Sequence, residues 1–154
     1  MRVTTKGRYA LRAITNLAIA SSGQPVPIKK IAKDESISPE FLEQIFFKLK
    51  KSGIISSVRG PGGGFVLSRN PEDISAKAVF DAVGEGIELT PCTSYLDDGS
   101  GDCIRREDCI VHDVWQEASA HIQHYFENLT LQKIMDRGQG KLYETMVGGR
   151  EFSV

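Results

Sequence analysis

Three cysteines and the first of three histidines fall within one stretch of the 154-residue chain, Cys92 to His112. Ten residues separate Cys92 from Cys103, five separate Cys103 from Cys109, and two separate Cys109 from His112. Residues Thr93–Asp102 are rich in Gly, Ser and Asp and predict a surface loop. From Glu107 the pattern turns helical, setting Cys109 and His112 on one face near a helix start, where the N-terminal dipole favours a thiolate over a thiol. Three soft ligands and one imidazole could thus converge on a metal or a cluster. Cysteines also serve as small buried hydrophobes, a poor match to Cys92 and Cys103, which flank a polar loop. An odd number of cysteines confined to one loop-helix segment argues for metal over a disulfide framework. Zinc held by three thiolates and one imidazole is an alternative, although only Cys109 and His112 have the close spacing of a zinc pair. A Cys103–Cys109 disulfide formed on oxidation is another. No set of nucleophile, base and orienting acid emerges, so the chain is not expected to be an enzyme.

A second stretch carries little side-chain chemistry and is informative for that reason. Arg59-Gly60-Pro61-Gly62-Gly63-Gly64 joins two strand-like runs, Ile54–Val58 and Phe65–Ser68. A turn so bare can lie close against another backbone. It lacks the Lys-Ser/Thr pair of a nucleotide-phosphate loop and sits in a hairpin instead of opening a helix, which favours DNA over a nucleotide.

The elements that must position these groups follow from periodicity. Thr4 caps a first helix whose stripe is Tyr9, Ala10, Ala13, Ile14, Leu17 and Ala18, stopped by Ser21-Ser22-Gly23. Ile28, Ile31 and Ala32 make a short second stripe. Ser38 caps a third helix with Pro39 first and Glu40 facing the positive dipole end; Leu42, Ile45, Phe46 and Leu49 form its apolar face. Gly53 closes it, with Lys48, Lys50 and Lys51 near its negative end. Two short helices joined by a few residues form a helix-turn-helix, and the hairpin that follows is a wing. The third helix then docks in a DNA major groove, with Arg59 on the wing tip reaching a minor groove or phosphate. Asp73 and Ser75 offer caps for a fourth helix carrying Ala76, Val79, Phe80 and Val83, ended by Gly84 and Gly86. A long helix runs from about Cys109 to Leu129, with Val111, Val114, Ala118, Ile122, Tyr125, Phe126 and Leu129 on one stripe. Its natural cover is its own copy, giving a homodimer. His121 and His124 are expected at the surface, and Thr130 begins one more helical turn.

The predicted fold class is mainly α with a small β-hairpin. Its divisions are a winged helix-turn-helix domain over 1–84, a cysteine-containing loop over 85–108, a dimerisation helix and short following helix over 109–136, and a flexible tail over 137–154. Hydrophobic residues at 40% and charged ones at 25% are ordinary for a globular protein. The N-terminal run lacks a signal-like apolar stretch and nothing approaches the ~20 apolar residues of a membrane span, so a cytoplasmic location is expected. The net charge of -1 hides a division. Residues 1–83 carry 13 Lys plus Arg against 7 Asp plus Glu, and residues 84–154 carry 6 against 13. A basic first half suits a polyanion partner.

The opening Met1–Ala10, the segment Leu42-Glu43-Gln44, the wing from Ser56 to Phe65, the cysteine cluster with His112, and Asn128-Leu129-Thr130-Leu131 together resemble the IscR-type regulators of the Rrf-two family of winged-helix repressors, over roughly residues 1–135. The resemblance implies a homodimer on palindromic double-stranded operators, with a [2Fe-2S] cluster held by Cys92, Cys103, Cys109 and His112 and the iron-sulfur assembly machinery as donor. It puts Glu43, Gln44, Ser57 and Arg59 at DNA-contacting positions, with Lys48 and Gly60 beside them, and makes Glu43 a selector between operator classes. Two departures stand out. The ten residues between Cys92 and Cys103 are about twice the number in IscR-type regulators. Nitric-oxide-sensing members use an Asp ligand in the first helix where this chain has Arg8, which argues against their [4Fe-4S] chemistry.

Overall fold

The computed structural model describes residues 3–93, 103–105 and 107–148, with side chains given through Gly140. Most of the predicted polar loop, residues 94–102, and the end of the expected tail, 149–154, lie outside the described residues.

Local chemistry starts and stops the first elements where the sequence predicts. Thr4 Oγ1 accepts the Gly7 N–H at 3.4 Å and caps α1 (Thr5–Ser21), which ends where Ser22 adopts a left-handed conformation. Its buried face, Ala10, Ala13, Ile14, Leu17 and Ala18, is narrow enough for α2 (Ile28–Glu35), α3 (Pro39–Lys51) and α4 (Ala76–Val83) to pack around it. Arg12 holds the end of α2, donating to the Glu35 carboxylate at 2.9 Å and to its carbonyl at 2.8 Å. The chain then turns through left-handed Ser36, buries Ile37, and enters α3 at Ser38, whose Oγ accepts the Phe41 N–H at 3.2 Å.

The wing is an antiparallel hairpin of β1 (Ile55–Val58) and β2 (Gly64–Leu67), with Ile55 opposite Leu67 and Val58 opposite Gly64. The end of β1 falls at Val58 as predicted, and the other three boundaries lie one residue from the predicted ones. Val26 adds a short third rung through two backbone hydrogen bonds with Phe65, both 2.9 Å. Gly64 permits this approach, because a Cβ there would run into the Val26 carbonyl and stand 2.8 Å from Pro27 N. The Phe65 ring meets Phe46 edge-on, 5.0 Å between centroids, fixing the wing against α3.

Ser75 alone caps α4, accepting the Ala78 N–H at 3.1 Å, while Asp73 belongs to a short 3-10 turn, and Gly84 ends the helix at φ 71°. α5 (His112–Asn128) crosses α4, Phe126 edge-on to Phe80 at 5.1 Å. Two expectations need correction here. The helix begins at His112 and not at Cys109: the His112 N–H bonds the Cys109 carbonyl at 3.1 Å, an i to i+3 turn, and β-branched Ile110 and Val111 are poor helix starters. The final helix is not a single turn ending near Arg137, since α6 runs Leu131–Gly148. Gly138 and Gly140 interrupt the pattern without ending the helix, and ordinary helix formers such as Gln139, Lys141, Leu142 and Glu144 carry it past them to a short apolar run, Leu142, Tyr143, Met146 and Val147, at helical spacing.

The chain segment from α4 to α6 is fixed to the first domain at both ends. Buried Glu85 accepts from the Thr4 N–H at 2.7 Å and from the Thr4 hydroxyl, and Gly7 leaves room for its carboxyl group, which would lie 2.8 Å from a Cβ. At the other end, the Ala76 N–H bonds the Leu129 carbonyl at 2.7 Å and the Leu131 N–H bonds the Ile74 carbonyl at 2.9 Å. Leu129 and Leu131 are buried, and Thr130 Oγ1 caps α6 by accepting the Lys133 N–H at 3.3 Å. The Asn128-Leu129-Thr130-Leu131 motif is therefore a clasp.

Candidate nucleic-acid interface and metal centre

α3 turns one face to the core and leaves Glu40, Glu43, Gln44, Phe47, Lys48, Lys50 and Lys51 exposed. Glu43 and Gln44, both expected DNA contacts, stand on this outward face, backed by buried Leu42, Ile45 and Phe46. The Lys50 ammonium donates to Ser57 Oγ at 2.7 Å and so orients a third expected contact across the gap between α3 and β1. Arg59 and Gly60 are exposed at the hairpin tip, where the Gly60 carbonyl accepts the Gly63 N–H at 2.9 Å. Among the described residues Arg59 has no ion-pair partner. Lys48 has an intramolecular role that the sequence did not suggest: its ammonium donates to the Val83 carbonyl at 3.4 Å, at the negative end of α4. The outward surface therefore presents hydrogen-bonding groups and one aromatic ring on a helix, flanked by cations on the helix end and wing tip.

The cysteines are free thiols. Cys92 lies in a 3-10 turn, Pro91–Thr93, with its Sγ 3.2 Å from Thr90 Oγ1. Ser119 ties that turn to α5: its hydroxyl accepts the Leu89 N–H at 3.2 Å and lies 3.3 Å from Thr93 Oγ1. Cys109 and His112 flank the turn that opens the same helix, and His112 Nδ1 is buried without a hydrogen-bond partner among the described residues. Cys103 is exposed, as are Ile104 and Ile110 in the turns around it. Among the described residues no three His, Cys, Asp or Glu side chains are gathered as a metal would require. The donor chemistry fits a cluster or zinc, with three thiols and an imidazole nitrogen that has no other partner among the described residues. Only Cys109 and His112 meet at the start of α5, while Cys92 is tied to the middle of that helix through Ser119 and Cys103 stays exposed, so the four groups do not converge. His121 and His124 lie exposed, as expected.

Sequence reasoning missed Glu85 and Ser119, which hold the cysteine-bearing segment at two points. Ser119 left a faint signal, a small polar residue beside the apolar positions Ala118 and Ile122 of the stripe. Glu85 left only its place between the two glycines that end α4.

A helix-turn-helix with a pinned hairpin wing and an outward helix face bordered by cations defines a winged-helix DNA-binding protein. The profile of the family described as Rrf2, iron-dependent transcriptional regulator, matches residues 3–137, and the chain belongs to that family. The HTH-type transcriptional regulator IscR of Vibrio cholerae serotype O1 is 41% identical over 135 residues, covering 88% of this chain and 75% of that protein. Of solved structures, T. potens IscR aligns with a TM-score of 0.71 at 28% identity, over 90% of this chain and 88% of that one. CymR, the global cysteine regulator of B. subtilis, aligns at 0.70 and 26% identity, over 89% and 98%. Such relatives are transcriptional regulators and not enzymes, and this chain is a DNA-binding transcriptional regulator of the IscR type. Among the described residues no helix is long and apolar enough to cross a membrane.

Proposed function

We propose that the protein is a cytoplasmic homodimeric regulator, mostly a repressor, that binds palindromic operators and reports iron-sulfur status through a [2Fe-2S] cluster held by Cys92, Cys103, Cys109 and His112. The observation that carries the cluster reading is the buried Nδ1 of His112, without a partner among the described residues and three residues from free Cys109 at the start of α5. Leaving a buried polar atom unpaired costs about 1–3 kcal/mol, and a metal bond removes that cost. When bound, the cluster supplies a redox-active centre whose occupancy follows the supply from the assembly machinery. A neutral imidazole in place of a fourth thiolate removes one formal negative charge, and His112 must be deprotonated to bind. The turns from Cys103 to Val111 keep Ile104 and Ile110 in water, so few buried contacts resist their closing towards Cys92.

On the DNA side, Glu43 and Gln44 read base edges, Arg59 enters a minor groove, Ser57 and Gly60 meet the backbone, and Lys48 adds charge near the phosphates. Dimerisation is supported by Val111, at the cap of α5, and Val114, Trp115 and Tyr125 on it, all exposed, and by an open groove of about 940 Å³ whose walls include Leu11, Ile19, Phe126 and Ile134. A two-fold pair of wings matches a palindrome. The direct test is the absorption spectrum and metal content of protein purified without oxygen. Visible iron-sulfur bands with equal iron and sulfide support the reading, and a colourless protein containing zinc overturns it in favour of a structural zinc site.

A further inference from the structure

Phe47 is 69% exposed in the middle of α3. The helix has its core contacts in Leu42, Ile45, Phe46 and Leu49, so the fold does not use this ring. It follows Glu43 and Gln44 by four and three residues and precedes Lys50 and Lys51 by three and four, which sets it in the same stripe as the exposed polar groups of the outward face. Exposing a phenyl group forgoes the burial energy it would have in a core, and nothing else on this helix face offers apolar cover. A phenyl ring has nothing to offer a phosphate oxygen or a base hydrogen-bonding edge. The apolar group on the floor of a major groove is the thymine 5-methyl, and the cations beside the ring suit the phosphates that border it.

We propose that Phe47 is a specificity-determining residue that packs on a thymine 5-methyl group in each half-site, an inference that rests on the docking of α3 in the major groove. Glu43 and Phe47 then divide the work, the carboxylate favouring a base that donates and the ring favouring a methyl.

The test uses the full-length protein and duplexes enriched from a randomised library by the wild type. Each thymine of the enriched duplex is replaced singly by deoxyuridine, which removes the methyl and leaves the hydrogen-bonding edge unchanged, and Kd is measured at fixed salt. One thymine per half-site should weaken the wild type about fourfold on replacement, the ~0.8 kcal/mol of one buried methyl converted at about 1.4 kcal/mol per tenfold. Phe47→Ser should bind the parent duplex more weakly and lose the response at that thymine, while Phe47→Leu should keep it. Because Phe47 is exposed, both variants should fold, which circular dichroism checks. If no thymine responds in the wild type, or if the response survives unchanged in Phe47→Ser, the proposal is overturned while DNA binding stands. If no duplex is enriched, the docking of α3 fails and the proposal goes with it.

Discussion

Glu85 and Gly7 should show strong energetic coupling with a reversal of sign. Glu85 is 5% exposed and accepts two hydrogen bonds from Thr4 at the start of α1. Hydrogen bonds to a charged group contribute about 1.5–3 kcal/mol each, and water reaching exposed Thr4 replaces part of that. The dipole at the N-terminus adds about 0.3–1 kcal/mol. Glu85→Ala should therefore cost about 3 kcal/mol. In the wild-type background, Gly7→Ala puts a methyl 2.8 Å from the Glu85 carboxyl carbon and must push the carboxylate off Thr4, for a net loss of about 1–2 kcal/mol. With Glu85 already replaced by Ala the obstruction is gone, and alanine in a helix is favoured over glycine by about 0.5–1 kcal/mol. The same substitution thus destabilises one protein and stabilises the other, with a coupling near 2 kcal/mol. Urea unfolding of the four proteins, followed by circular dichroism at one protein concentration, measures it. Additivity within about 0.5 kcal/mol would refute the close approach of helix start and carboxylate.

Arg59→Ala should weaken operator binding by about 1–3 kcal/mol while leaving unfolding and oligomeric state unchanged, as read by gel shift and sedimentation. Glu43→Ala should widen the set of bound operators more than it changes affinity for the best one, because a carboxylate facing DNA rejects acceptors more than it attracts donors; library selection before and after would give identical rankings if this is wrong. His112→Ala should lose the visible bands of anaerobic protein and still fold, and His112→Cys should retain them with a lower reduction potential. A normal spectrum and unshifted potential in His112→Ala would remove the histidine from the ligand set.

What the sequence made legible was written in local chemistry. Thr4, Ser38 and Ser75 cap their helices because a hydroxyl just ahead of an apolar stripe has one obvious partner, the backbone N–H three residues on, and Gly84 ends α4 by a backbone preference of its own. The core faces of α1, α3 and α4 follow from periodicity for the same reason. Long-range partners are a different matter. Nothing near Glu85 in the chain says that it will meet Thr4, and nothing near Lys48 or Lys50 says which will find Val83 and which Ser57. The start of α5 was misplaced because helical spacing cannot distinguish a tight turn from the first turn of a helix. The length of α6 was missed because Gly138 and Gly140 look like a stop, and the apolar run beyond them, Leu142 to Val147, is too short to stand out as a helix of its own. At the site, the residue types of the cysteine cluster were plain, whereas the tether that brings Cys92 to α5 runs through Ser119, whose chemistry is that of any surface serine.

The two fastenings of the segment between α4 and α6, Glu85 on Thr4 and the Leu129–Leu131 clasp on Ile74 and Ala76, make it a closed bight in polymer terms. Lengthening such a bight is cheap, since doubling a flexible loop adds only about 0.6 kcal/mol of closure entropy. The ten residues between Cys92 and Cys103 can therefore be gained or lost over generations without loosening either knot. Natural selection is left free to tune how the cysteine-bearing segment is sheltered while the half of the chain that reads DNA keeps its shape.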